Sequence, residues 1–498
     1  MLYNQSDSFN QNQGADPANM FSSTNIDELI KAISAGQQSG TALDGQLTTG
    51  AALKYESLEA ALKNLTFNNQ HFVFYNAIMK KAAHSTNEEY NQLVSYGRSG
   101  KYSVLEGELP ESVDTQYRRM SEFVKYKGIV GQVTDVILQT NNQIDVMTQE
   151  VQSKMTLLLQ SIENEMHYGN QRVDPLQFDG VYELHKKSVG ADNEVYQRSP
   201  FTLDIRGSVL LDSHNNELAS NIVNQGYGLV TDIFAPPQVF TDYVDQKYEQ
   251  RRIVDAGQVA NGVFGQKVTE FVTQFGSLMP RPTIFGRRSI ARQTTGDTAA
   301  AQAPKAPAAI TPDPTTPLAA VSDAALTKFG TAFAGDYFVA VAAVNQYGEG
   351  PLTALSSSEV TVTATQSIDM KWSITDNAYP ATGYVIYRGE KDQSTVIGDT
   401  PLYPVLTITT AELAAGYDGA AATFARDRNY NIPNTEQAFM YQTQNAEIMA
   451  IKELGKMKKL DLAITNPTYR FAVLYYLTQI LYQPFKLGVI NNIGKSTT

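Results

Sequence analysis

The feature that most constrains this chain is a single apolar stripe. Ile144, Met147, Val151, Met155, Leu158, Ile162 and Met166 recur at spacings of three or four residues, the period at which side chains share one face of an α-helix. Counted from about Asn142 to Gly169, the helix would have roughly 28 residues and run about 42 Å, with Gly169 as its stop. A helix so long needs a sheet to lie on. Read as a coiled-coil seam, the same stripe lacks sustained heptads with paired e and g charges.

The segments on either side have different characters. Residues 1–50 are rich in Asn, Gln, Ser and Gly and carry five acids (Asp7, Asp16, Asp27, Glu28, Asp44) against one base, Lys31. Such a segment cannot bury enough apolar surface to order itself. It reads as an arm fixed only against neighbours, with one short helix near Asn25 to Ala35. Within the next segment, residues 51–83, the stretch from Ala52 to Lys81 turns helix-like through Leu58, Leu62 and Leu65. Residues 84–135 set Gly97, Gly100, Gly107 and Pro110 among polar side chains before a strand-like limb with Val124, Ile129 and Val133. Two extended limbs around a Gly-rich tip predict a long projecting hairpin. A polar loop of this length inside a compact domain normally contacts something outside it.

Beyond the long helix, assigned with its sheet to residues 136–185, residues 186–292 alternate short strands and helices. Strands are expected at Phe201 to Ile205, Ser208 to Leu211 and Leu229 to Phe234, and helices at Glu217 to Gly226 and Val239 to Arg251. This is α+β alternation. Residues 293–318 are rich in Ala, Thr and Pro and read as a semi-rigid linker. From 319 to 428 the period becomes two: Tyr337, Val339 and Val341 alternate with Phe338, Ala340 and Ala342, and Tyr384, Ile386 and Arg388 oppose Val385 and Tyr387. These are β-sandwich strands, with Trp372 placed as an inward anchor. Residues 429–498 resume the host fold, with a helix expected from Thr435 to Lys458 and strands at Tyr469 to Leu477 and Pro484 to Ile490.

The chemistry that can be excluded is extensive. The chain has no cysteine, which removes disulfides, thiolate metal sites and thiol nucleophiles. Its 39 basic and 51 acidic side chains leave a net charge of −12, which disfavours sequence-independent nucleic-acid binding by the chain as a whole. The start, MLYNQSDSFNQNQG, has neither a basic n-region nor an apolar h-region, so no signal peptide is expected. The runs Tyr337 to Val344 and Phe471 to Leu481 are too short, or too broken by Thr478 and Gln479, to predict a bilayer span. Gly97-Arg98-Ser99-Gly100-Lys101 fails as a phosphate loop, because Ser95 stands where the leading glycine belongs and Tyr102 where the magnesium-binding hydroxyl belongs. Glu163 and His167 align on one helix face while Glu165 does not, and an ordinary exposed pair is expected there. His71, His84, His185 and His214 are scattered, no nucleophile elbow is present, and no cofactor, metal or enzymatic activity is expected.

Charge is distributed unevenly along the hairpin. Arg118, Arg119, Lys125 and Lys127 fall on its returning limb, opposite Glu106, Glu108, Glu111 and Asp114. A projection with acids on one part and bases on another suits docking on copies of itself, with charge setting the register. These residues, Glu106, Glu108, Glu111, Arg118, Arg119, Lys125 and Lys127, are the subunit-contact candidates. A second basic group, Arg281, Arg287, Arg288 and Arg292, precedes the linker.

The order of parts resembles one family. A polar arm, a long loop (EGELPES at 106–112, KYKGIVGQVTD at 125–135), a long helix ending on Glu-Met-His-Tyr-Gly at 165–169, then Phe178-Asp179-Gly180-Val181, is similar to major capsid proteins of tailed double-stranded DNA phages of the Hong Kong 97 type. The resemblance covers roughly residues 40–290 and 430–498. It implies an α+β capsid fold with a spine helix in a peripheral domain, an axial domain at 186–292, and an immunoglobulin-like or fibronectin-like insertion at 319–428. It also implies self-assembly into hexamers and pentamers in the host cytoplasm and a place in the virion shell. Portal and scaffolding proteins, decoration proteins and packaged DNA are the implied partners, and no membrane is involved. The family's lysine–asparagine cross-link has no matching pair here. The rival reading is a surface adhesin or glycan-binding protein built around the sandwich, which predicts a secretion signal and a terminal, repeated sandwich.

Overall fold

In the computed structural model the stripe forms a helix, Val146–Tyr168, of 23 residues. Asp145 caps it by accepting the backbone N–H of Met147 at 3.1 Å, and the chain leaves it at Gly169. The structure describes residues 66–97, 102–109, 112–140, 145–190, 193–251, 268–294, 302–304, 308–309, 318–356, 359–373, 379–393, 398–463 and 466–496. All lie within the unit Thr66–Thr498. The arm, its expected helix, and Ile144 fall outside the described residues.

The helix lies on a five-stranded sheet. Met79–Ala82, Met449–Glu453, Thr468–Leu481 and Lys458–Asp461 follow one another in that order, and Lys125–Thr134 also pairs with Thr468–Leu481. The first pair is parallel and the others are antiparallel. On the long central strand Phe471, Val473, Tyr475 and Leu477 share one face, as the period of two requires. They pack with Ile129 and Val133 against Leu158, Ile162 and Met166 of the helix. Each such side chain contributes about 1.5–3 kcal/mol by leaving water. Of the stretch expected to be helix-like from Ala52 to Lys81, the described part from Thr66 holds a 3-10 turn at Asn69–His71, one short α-helix, Val73–Ala77, and the edge strand Met79–Ala82.

The turn after the helix explains the Gly169 and Gly180 positions. The Gly180 N–H donates to the Gly169 carbonyl at 2.8 Å, and a Cβ on Gly180 would sit 2.7 Å from backbone atoms of Glu165 and His167. Gly180→Ala is therefore expected to cost about 1–3 kcal/mol through forced displacement of packed backbone. The thermal unfolding midpoint of the variant checks it.

A second sheet of six strands runs Thr202–Asp204, Gly488–Ile493, Glu436–Tyr441, Asp232–Ala235, Gly276–Pro282, Phe271–Thr273. Its core includes Leu218 and Ile222 from the helix Asp212–Gly226, and Val239 and Tyr243 from the helix Pro237–Arg251. Two sequence expectations are corrected here. Ser208 to Leu211 forms no strand and leads into the helix at Asp212. The helix expected from Thr435 to Lys458 is two strands, Glu436–Tyr441 and Met449–Glu453. Glu436–Tyr441 is a central strand buried at every position, and a strand covered on both faces shows no alternation.

Apart from the short helix Thr410–Ala415 and a 3-10 turn at Thr331–Phe333, the described residues of 318–427 form an all-β unit. Leu318–Ser322, Gln366–Met370 and Ala425–Asp427 make one sheet, Gly335–Tyr337 pairs with Val360–Val362, and Val339–Asn345, Gly383–Gly389 and Leu402–Thr409 form the main part of another. Tyr337, Val339, Val341, Ile368, Met370, Tyr384 and Ile386 share a core, in which Trp372 meets Tyr384 edge to face at 5.2 Å. The alternate residues Phe338, Ala340 and Ala342 are also buried, against Leu352, Tyr387 and Leu402, so both faces of that strand are covered. Within the linker Ala308–Ala309 forms a short strand on Trp372–Ser373, and the Gln302 carbonyl accepts from the Asn345 side chain at 3.0 Å.

The unit is fastened to the rest at several points. Arg206 donates to the Lys328 carbonyl, Arg172 pairs with Glu412, and the Thr382 hydroxyl donates to the Val173 carbonyl.

Candidate assembly surface

The expected hairpin is present as a two-stranded finger, Asn87–Ser95 paired antiparallel with Gln116–Phe123. An isolated two-stranded ribbon has no core of its own and is marginal in water. Its side chains show what it lacks: Leu109 is 94% exposed, Tyr96 85%, Leu105 73% and Tyr117 73%, and Val94 and Tyr102 are exposed as well. Apolar exposure concentrated on one projection marks a surface that another molecule covers.

The candidate charges are distributed differently from the sequence reading. Glu106 and Glu108 lie exposed at the tip, where the Glu108 N–H closes a turn on the Leu105 carbonyl at 3.1 Å. Glu111 lies outside the described residues. Arg118 reaches across the ribbon to Gln92 Oε1 at 2.9 Å, and Arg119 reaches Glu89 at 3.4 Å. As neighbours in a strand they point to opposite faces, so they cannot serve one contact together. The exposed Arg119–Glu89 pair contributes only about 0–1 kcal/mol to the fold.

Lys125 and Lys127 are not on the finger. The ribbon ends at Phe123, Val124 is buried, and Lys125–Thr134 is a strand of the first sheet. Lys125 donates to the Pro175 carbonyl at 2.7 Å, and Lys127 pairs with Glu165 of the long helix at 2.7 Å. Both are committed within the chain. Burial pushes the Glu165 carboxyl up, and Lys127 opposes that shift. Two members of the second basic group are similarly engaged, Arg281 on Asp232 and Arg292 on Glu349.

Nor is the Glu163–His167 pair exposed. The Glu163 carboxylate is fully buried and accepts the backbone N–H groups of Phe74 and Tyr75 at 2.9 and 2.7 Å. His167 is stacked against Phe74 at 4.4 Å and Phe439 at 5.9 Å. Burial raises Glu163 to about 7 and lowers His167 to about 3. The helix is enclosed here by residues 72–78 as well as by the sheet, which widens its buried face. Among the described residues no cluster of His, Cys, Asp and Glu has the arrangement of a metal site. What the molecule presents is a surface for contact.

Known proteins agree with that reading. No family model matches the sequence. The major capsid protein of Staphylococcus phage S25-3 is 25% identical over 493 residues, covering 94% of this chain and 95% of its own, and that of Staphylococcus phage K is equally similar. A relative from Enterococcus phage phiEF24C is 26% identical over 477 residues, with the same coverage. This chain functions as a major capsid protein. It is a structural component of a phage head shell and not an enzyme, and its place is the virion capsid. Among solved structures, the capsid of cyanophage P-SCSP1u covers 89% of the chain at 7% identity with a TM-score of 0.42. The holo-SrpI encapsulin complex of Synechococcus elongatus PCC 7942 covers 92% at 7% identity with a TM-score of 0.40. Likenesses this distant carry no argument by themselves.

Proposed function

We propose that this capsid subunit has the Hong Kong 97-type architecture and assembles into hexamers and pentamers of a closed head around double-stranded DNA. In this reading the five-stranded sheet and its helix form the peripheral domain, and the six-stranded sheet forms the axial domain. The finger is the extended loop that clasps a neighbouring subunit, together with the arm. The all-β unit is an immunoglobulin-like insertion. The observation that carries the reading is the finger itself, a two-stranded projection without a core whose large apolar side chains face solvent. Burial of those side chains has to come from another copy, and a closed symmetric assembly supplies it many times over. Portal, scaffolding and decoration proteins are the partners such a shell needs.

Deleting residues 1–40, or reversing charge by Arg118→Glu with Arg119→Glu, is expected to leave a soluble subunit that forms no closed shells. Negative-stain electron microscopy of particles made with the scaffolding partner reads the result. Normal particles from both variants would overturn the clasping role.

A further inference from the structure

The root of the finger carries two acids at one level of the ribbon. Glu88 and Glu122 are direct cross-strand partners, and both are buried. Like charges directly opposite one another repel, and a buried carboxylate needs a partner. Each finds its own lysine, from a different part of the body. Glu88 takes Lys452 of the first sheet at 3.1 Å. It also accepts the backbone N–H groups of His84 and Ser85 at 2.7 and 3.0 Å. Glu122 takes Lys187, from the helix Val181–Val189, at 3.1 Å, and the same ammonium lies 3.7 Å from Asp179.

The two ties are unequal. Lys452 and Glu88 are only 16% and 11% exposed, Lys452 also donates to the Ala82 carbonyl at 3.1 Å, and the strand of Glu88 is held further up by Gln92 on the Tyr482 carbonyl at 2.6 Å. Lys187 keeps 48% of its side chain exposed, so water competes for it. For the strand Gln116–Phe123, the Glu122 pair is the one side-chain ion pair or hydrogen bond to the body among the described residues. Burial pushes the Glu122 carboxyl upward and Lys187 opposes it, whereas Glu88 is held below its ordinary range by its donors.

We propose that the finger is a hinged lever, with Glu88–Lys452 as its fixed pivot and Lys187 as a releasable latch on Glu122 and Asp179. While Lys187 stays, the finger is locked to the helix Val181–Val189. When it leaves, Glu122 is an unpaired buried carboxylate, and its strand swings toward water. One subunit can thus set its finger at different angles for different neighbours. That purpose rests on the clasping role proposed above, but the latch itself does not.

Hydrogen exchange by mass spectrometry on the full-length unassembled protein tests the latch. Lys187→Met is expected to speed exchange of residues 116–123 by about tenfold or more while residues 449–453 keep their protection. Adding Glu122→Gln is expected to restore the protection, because the strand Gln116–Phe123 then carries no buried charge to be solvated. Unchanged exchange in Lys187→Met, a rise spread over the whole chain, or no rescue by the second change would each overturn the proposal. Should Lys187→Met fail to fold, Glu122→Gln alone decides, since it is expected to keep the root closed and faster exchange would refute the latch. Particle formation, scored separately by electron microscopy, reports on clasping, so the two ideas fail independently.

Discussion

Arg388→Ala is expected to destabilise the all-β unit by about 3–5 kcal/mol, the range for removing one partner of a buried ion pair. Arg388 sits in the strand Gly383–Gly389 on the same side as Tyr384 and Ile386, and it is fully buried. Its guanidinium donates to Asp427, to the Asn429 side chain, and to the Asn431 carbonyl at 3.1 Å. The rings of Phe329 and Tyr337 lie 4.9 and 5.1 Å from it. Alanine would leave Asp427 without its cation and open a void beside two aromatic rings. Trp372 reports on the event, because it is the one tryptophan in the chain and lies in the same core. Denaturant unfolding followed by its fluorescence should show the midpoint fall. Replacing the pair together, Arg388→Met with Asp427→Leu, should cost less than Arg388→Ala alone, since no charge is then stranded. An Arg388→Ala midpoint within error of the wild type would mean that the buried network contributes nothing.

Arg388 also shows where sequence patterning is informative and where it stops. Alternation placed it on the face of Tyr384 and Ile386, but a charged residue at a core position is explained only by its partners, Asp427 and Asn429, some forty residues away. The same limit applies to the finger. The Gly-rich polar tip between extended limbs was legible, and so was its projection. The limb's end was not, because Phe123, Val124 and Lys125 continue one extended run with no turn residue. The strand changes sheets at Val124, where burial alone marks the boundary. Lys125 and Lys127 consequently read as finger charges, although their partners are Pro175 and Glu165.

Periodicity works best where an element has one wet face. The long helix was read to within four residues at its start because most of its length lies on a sheet and faces solvent on the other side. Glu436–Tyr441 was misread for the opposite reason: it sits between Gly488–Ile493 and Asp232–Ala235, with layers on both sides. Its polar members Glu436 and Gln437 are buried too, Glu436 as acceptor for the backbone N–H of Arg288 at 2.9 Å and Gln437 as donor to Asn491 at 2.8 Å. Buried polar residues of this kind break the apolar run that would have identified a central strand.

Glu163 gives the second large effect, and its signature is a pH profile. Folding raises this carboxyl from 4.5 to about 7 through burial, against which the N–H groups of Tyr75 and Phe74 act. The folded state therefore holds a proton that the unfolded state has already lost, and stability falls as pH rises from about 4.5 through 7. The full loss is on the order of 3 kcal/mol. His167 and His185, both lowered by burial from 6.5 to about 3, act in the other direction. Their contribution is complete above pH 6.5 and is lost as pH falls toward 3. Glu163→Gln isolates the carboxyl. At pH 5 the variant should lie below the wild type by about 1–3 kcal/mol, because the glutamine oxygen can accept from only one of the two N–H groups and its amide nitrogen cannot accept from the other, and that gap should narrow or reverse toward pH 8 as the wild type loses its proton. Glu163→Ala should be less stable at both, since it strands two buried N–H donors at about 1–3 kcal/mol each. Unfolding midpoints across pH 5–8 decide the matter, and parallel profiles for the wild type and Glu163→Gln would show that Glu163 stays charged in the core.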